Sequence, residues 1–281
     1  MVNILRDSVV AAPDSSKPLV FVFGASNVRR GLPNLLEITR RTLGPQWDLI
    51  VTAGHGRSYG TLSHVFGRGL PGIRDAQWKK HLTDGVRNKS ALFTDIGNDL
   101  LYGATPLQIR DWLDECLSLL TQHDVQITIA GLPVEVLKRV GRKKFFILRT
   151  FFFPKSDIDF LTALKRIDDL DEYVREAAQR HQTEFVRPSS TWYGVDPIHV
   201  MYRHQQAMWR QTLPWLRDKK SPFFIDENEL RQICFEQRMN RWMWMMRLFF
   251  IRAQQQTWFT LDRSMTQPAV RFDAQRNVWF Y

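Results

Sequence analysis

Short apolar strands that alternate with helices, each strand running into a polar or glycine-rich loop, are the feature that most restricts how this chain can fold. Leu19 to Phe23 (LVFVF) is a β-branched and aromatic run ending at Gly24, the pattern of a strand covered on both faces. Leu32 to Leu43 carries apolar residues at helical spacing and stops at Gly44-Pro45, which predicts a helix. Trp47 to Ala53 reads as a second strand leading into GHGRSYG (54–60), and Ala91 to Ile96 as a third leading into Gly97-Asn98-Asp99. Pro106 to His123 is an amphipathic helix with Pro106 in its first turn and Ile109, Trp112, Leu113, Cys116, Leu117 and Leu120 on one face. Val125 to Ala130 is a fourth strand, Asp157 to His181 a long helical stretch, Thr183 to Val186 a fifth strand and His199 to Leu216 a closing helix.

Strands and helices in this order predict an α/β sandwich with a parallel sheet covered on both faces. In such sheets ligands collect at the carboxyl ends of the strands, and three of the polar loops follow strand ends. Residues 1–18 read as a flexible lead-in, 19–218 as the α/β domain and 219–281 as an appendage. The last segment reads as an appendage because it holds thirteen aromatic residues from Phe223 to Tyr281 and no further strand–helix alternation, and it is expected to be helical from the amphipathic pattern of 230–251.

Composition excludes several classes. With 44% hydrophobic and 24% charged residues the chain has globular proportions, unlike disordered or collagen-like sequences. Cys116 and Cys234 lie far apart, with no CxxC spacing and no nearby His pair, so neither a disulfide framework nor a metal site is expected. Asp7 follows Arg6 almost at once and the apolar run is short, so the start does not read as a secretory signal. No window of eighteen uncharged apolar residues occurs, so no spanning helix is expected. A cytoplasmic location is the resulting expectation.

Ser26 sits in the tight turn after the first strand. Alone, it reads as a turn or helix-capping residue. It gains meaning with a base, since acyl transfer needs a neutral imidazole to take the hydroxyl proton and a carboxylate to fix the ring. Asp196-Pro197-Ile198-His199 supplies both, three residues apart. Asp-Pro is also a common helix opening, and the two roles are compatible. His55 is the other histidine in a glycine-rich post-strand loop, whereas His64, His81, His123, His181 and His204 read as surface or helix positions. For a developing oxyanion, the 54–60 loop can give a backbone N–H and Asn98 a side-chain amide.

Phe23-Gly24-Ala25-Ser26-Asn27, the 54–60 glycine loop, Gly97-Asn98-Asp99 and Asp196-Pro197-Ile198-His199, in that order, resemble the four blocks of the SGNH (GDSL-like) hydrolases. The resemblance covers about residues 19 to 217 and implies a flavodoxin-like three-layer fold. It also implies a serine-dependent hydrolase of carboxylic esters, acting on a lipid, a small acyl ester or an acetylated carbohydrate, without metal or organic cofactor. It assigns Ser26 as nucleophile, His199 as base, Asp196 as its partner, and Ser26, Gly56 and Asn98 as oxyanion donors, with Gly56 preferred to Gly54. The first block departs from Gly-Asp-Ser-Leu: Ala25 stands where the acidic residue is usual.

A surplus of 39 basic over 29 acidic residues raises nucleic acid, an acidic membrane or an anionic substrate as partners. Residues 138–155 hold seven basic residues, five phenylalanines and no acid. They read as an insertion overhanging the substrate cleft, suited to an anionic membrane surface or an anionic substrate, or else as a charged loop beside a buried Phe run. Residues 230–251 read as an amphipathic helix that docks on the main domain, forms a homodimer face or anchors at a membrane interface. No helix-turn-helix or RNP-type pattern supports nucleic acid. The rival to the esterase is a catalytically silent scaffold that binds a membrane or a partner protein.

Overall fold

The computed structural model describes residues 17–65, 67–82, 88–152, 156–217, 225–239, 253–259, 261–262, 265–273 and 275–281. The first half of the chain runs β1 (Leu19–Phe23), α1 (Ser26–Thr42), β2 (Trp47–Thr52), β3 (Ser63–Val65), β4 (Arg68–Leu70), β5 (Lys89–Phe93), α2 (Asn98–Leu101), α3 (Pro106–Gln122) and β6 (Gln126–Ala130). There follow α4 (Val134–Lys138), α5 (Arg142–Phe152), α6 (Phe160–Arg180), β7 (Glu184–Val186), α7 (Gln205–Thr212), α8 (Pro214–Arg217) and α9 (Glu227–Met239). The chain closes with β8 (Thr257–Trp258), β9 (Leu261–Asp262), β10 (Val270–Asp273) and β11 (Arg276–Phe280).

The main sheet has the order β10-β11-β2-β1-β5-β6-β7. Every pair in it is parallel except β10 with β11. The order reverses between β1 and β5, and ligands of open α/β sheets bind at such reversals. Both faces are covered, as the apolar strands require. Leu19, Phe21 and Phe23 of β1 enter a core with α3 and α6, whereas Val20 and Val22 enter a second core with α1, α7 and α9. The first core is knit by aromatic contacts: the Phe23 ring lies 4.8 Å from Trp78 and 4.6 Å from Phe93. Burying each such side chain contributes roughly 1.5–3 kcal/mol.

Helix α1 begins at Ser26, a turn and a half before the expected start at Leu32, and runs through Pro33. Helix α3 has the expected bounds within one residue and carries a capping box between Thr105 and Gln108.

Three expectations are corrected. No helix starts at Asp196: residues 195–199 are bends and Val200 bridges to Tyr193. The helix begins at Gln205 instead, because Val200 and Met201 donate their amides to Asn27 Oδ1 and Trp192 O rather than to a preceding turn. The described part of 138–155 is not a loop but the end of α4 and the helix α5; 153–155 lie outside the described residues. The C-terminal segment is not purely helical, since β11 pairs with β2 along its length and Trp279 and Tyr281 are buried in the first core.

Helix α9 docks on the main domain through Leu230 and Ile233, the first of the three uses expected for 230–251; 240–251 lie outside the described residues, as do 1–16. Both cysteines are free. His81 is buried rather than exposed and shares a 2.7 Å hydrogen bond with the Tyr281 hydroxyl. No helix among the described residues is long and apolar enough to cross a membrane.

Candidate active site

Ser26 opens α1 directly after β1, and Asn98 opens α2 just beyond β5. Strands β1 and β5 are paired neighbours in parallel register, so both residues emerge on one sheet edge at the point of reversal. Gly56 follows β2, the other neighbour of β1. Asp196 and His199 follow β7 at the far side of the sheet, and their segment returns to α1 through the Asn27 side chain. Asn27 Nδ2 donates to Ile198 O at 3.1 Å and Asn27 Oδ1 accepts from Val200 N at 2.8 Å. The residues on both sides of His199 are therefore fixed to the residue after Ser26.

His199 Nδ1 lies 2.6 Å from Asp196 Oδ2. Burial would raise the Asp196 pKa, but the hydrogen bonds from the ring and from the Ile198 and His199 amides outweigh it and hold the carboxyl at about 2. An ionised carboxylate only accepts, so Nδ1 carries the proton and Nε2 is the basic nitrogen.

Asn98 Nδ2 is buried and has no hydrogen-bond partner among the described residues. Such a donor is costly to leave unpaired, and it lines an apolar cavity of about 140 Å³. The cavity lies against α5, and its lining includes Leu132, Phe145, Leu148, Leu164 and Ile167 together with Asn27 and Ile198. Gly56 has φ +61°, and its carbonyl accepts from the Tyr102 hydroxyl at 2.6 Å. A side chain there would meet Val65 and that hydroxyl, so glycine is required.

Several supporting residues were not singled out from sequence. Asp95 accepts from the Ala25 and Asn27 amides at 2.8 and 3.1 Å and from Asn27 Nδ2 at 2.7 Å. Its signal was a lone acid at the end of an apolar strand. Asp99 is fully buried; it accepts from the Ser58 hydroxyl and from Tyr59 N at 3.0 Å, which ties the Gly56 loop to the Asn98 turn. Burial pushes its carboxyl up to about 6 against those hydrogen bonds. Arg57, beside Gly56, is buried and donates to Tyr281 O and, at 3.2 Å, to Pro71 O, so the C-terminal strand braces the same loop. Among the described residues no cluster of three His, Cys, Asp or Glu could hold a metal ion.

No family model matches the chain, and no curated protein matches it in sequence. Solved structures do. A carbohydrate acetylesterase family member from Sinorhizobium meliloti aligns over 78% of this chain and 99% of its own, at 15% identity and TM-score 0.50. The esterase EstA from Pseudoalteromonas sp. aligns over 71% and 99%, at 10% identity and TM-score 0.45. AlinE4, an esterase of the SGNH-hydrolase family, aligns over 82% and 97%, at 15% identity and TM-score 0.39. With the sheet order, the parallel register and the acetylesterase alignment all agreeing with the four short sequence blocks, the chain has the fold of the SGNH (GDSL-like) hydrolases.

Proposed function

We propose that the protein is a serine-dependent hydrolase of carboxylic esters. Ser26 Oγ attacks the acyl carbonyl while His199 Nε2 takes its proton. The oxyanion is held by the Ser26 and Gly56 amides and by Asn98 Nδ2. Collapse of this intermediate expels the alcohol, which takes the proton from His199, and water then releases the acyl group by the reverse sequence. Asp196 keeps the proton on Nδ1 and stabilises the imidazolium. The observation that carries this reading is the Asp196–His199 pair anchored through Asn27 to the nucleophile's own helix. The cavity beside Asn98 favours an apolar acyl chain over a bare acetyl group.

The test is the intact mass of the protein after incubation with a fluorophosphonate. A single adduct that disappears in Ser26→Ala and His199→Ala supports the reading, and no adduct on folded wild type overturns it.

A second reading, a silent scaffold on an anionic membrane, is favoured by the outer side of α5. Arg142 and Lys143 on α5 and Arg139 just before it are exposed, with Ile147 of α5 at 68% and Leu161 of α6 at 74% exposure. Each cation near an acidic leaflet contributes about 1 kcal/mol. Salt-sensitive co-sedimentation with phosphatidylserine vesicles, lost on reversing those three charges, together with absent labelling, would favour it over the esterase.

A further inference from the structure

The apolar cavity occupies the β5, β6 and β7 end of the carboxyl edge; a second, smaller sheet stands at its β2 end. The strand order there is β3-β4-β8-β9, and every pair is antiparallel. Register sets Val65, Arg68, Trp258 and Leu261 directly opposite one another, one from each strand. Residues paired in this way share one face of a sheet, with neighbours about 5 Å apart. In agreement, Arg68 Cζ lies 5.5 Å from the centre of the Trp258 ring. The row starts at the candidate site, because Val65 packs against Gly56, and Leu70 of the same face packs against Gly54. It runs outward from there to Trp258, 39% exposed, and Leu261, 60% exposed. The opposite face carries His64, Gly69, Thr257 and Asp262.

The outer end of the row is held in place. Phe259 donates its amide to Gly67 O at 2.7 Å, and its ring covers Gly67. Phe259 has φ +45°, a strained conformation for a bulky residue that only surrounding contacts sustain. The β8 and β9 strands are thereby fixed to the residue before β4, which preorganises Trp258 and Leu261 for a ligand. Arg68 is the charged member of the row. Its Nε is buried without an acceptor, and among the described residues the guanidinium has no carboxylate or hydrogen-bond partner. A partly buried cation without a counter-charge is costly, and an anionic oxygen on a ligand offsets that cost.

We propose that Trp258, Leu261 and Arg68 form the subsite for the alcohol portion of the ester, and that this portion is an apolar ring bearing one anionic group. Trp258 and Leu261 supply contact area for the ring, and Arg68 supplies one charge-assisted hydrogen bond. The row has no second polar side chain of the kind a polyhydroxylated alcohol needs for orientation. The assignment to the alcohol rests on the esterase reading, because an acyl chain in the cavity beside Asn98 leaves the alcohol on the Gly56 side.

The test measures binding, so that it stands apart from turnover. Ser26→Ala protein is titrated calorimetrically with ethyl, benzyl and para-carboxybenzyl hexanoate, which share one acyl chain. The benzyl ester should bind roughly tenfold more tightly than the ethyl ester, and the para-carboxybenzyl ester roughly tenfold more tightly again. Adding Trp258→Ala should bring the first ratio toward one, and adding Arg68→Gln the second. Leu261→Asp, at an exposed position that folding does not require, should also reduce the first ratio, whereas His64→Ala on the opposite face should change neither. Equal affinity within either pair, or a ratio unchanged in its folded variants, overturns the proposal. Equal affinities together with vesicle co-sedimentation that Leu261→Asp abolishes would assign the row to a membrane and likewise overturn it. Fluorophosphonate labelling of wild type is scored separately: both ratios without labelling keep the subsite and remove the esterase, and labelling without the ratios does the reverse.

Discussion

Asp95 and Asn27 lie 68 residues apart and meet through two hydrogen bonds, Asn27 N to Asp95 Oδ2 at 3.1 Å and Asn27 Nδ2 to Asp95 Oδ1 at 2.7 Å. With the further bond from Ala25 N, the carboxylate at the end of β5 holds the peptides on both sides of Ser26. Asn27 passes that order on to the segment carrying His199. One acid thus helps set the relative position of two loops, one from the middle of the sheet after β1 and one from its β7 edge.

Asn27→Ala removes the link between α1 and the His199 segment while leaving Ser26, His199 and Asp196 in place. Ester hydrolysis should fall about 100-fold in kcat, the cost of a displacement near 1 Å in a reacting pair. The far-ultraviolet circular dichroism should stay that of the wild type. Unchanged kcat in the folded variant would refute the positioning role.

Asn98→Ala deletes the buried, unpartnered amide. The expected loss is about 10²–10³-fold in kcat with little change in KM, because the amide meets its charged partner only in the transition state. A rise in KM at constant kcat would place Asn98 in substrate binding instead.

Asp196→Asn should lower kcat about 10⁴-fold by reversing the preferred imidazole tautomer. It also has a stability signature. The carboxyl titrates at about 2 in the fold against an ordinary 3.8, so the stabilisation is present above the ordinary value and is lost as pH falls from about 4 to 2. The side chain is 45% exposed, which makes the effect small. Urea unfolding of wild type and variant should therefore converge as pH falls from about 4 to 2.

Asp99 has the opposite sign. Its folded value of about 6 lies above the ordinary 3.8, so its contribution is fullest below pH 4 and declines as pH rises toward 6. The decline is on the order of 3 kcal/mol. Measured against Asp99→Asn, wild-type stability should fall between pH 4 and 6; parallel curves would show that Asp99 does not titrate there.

Leu148→Trp and Leu164→Trp fill the cavity that lies against α5. If the acyl chain lies there, both variants should shift the preferred p-nitrophenyl ester toward shorter chains while leaving acetate turnover near that of the wild type. An unchanged chain-length profile in both would place the acyl group elsewhere.

The alternation of apolar runs with helices was enough to expect the parallel sheet, and α3 was legible nearly to the residue, because hydrophobic period and capping chemistry are local. The four blocks likewise named Ser26, Gly56, Asn98, Asp196 and His199 from short contiguous strings. Long-range pairing was not legible. That Asp95 secures the Ser26 turn, that Asp99 joins the Gly56 loop to Asn98, and that β11 completes the sheet beside β2 depend on partners 40 to 229 residues away. Asp196-Pro197 shows the competition directly. Its local preference is to open a helix, but the Asn27 side chain and the Trp192 carbonyl take the amides of Val200 and Met201. The sequence by itself determined which chemistry-bearing residues the chain possesses and the periods of its elements. The tertiary structure alone decided which of them share one sheet edge, because strand order and side-chain hydrogen bonds across it are settled only when the whole core packs.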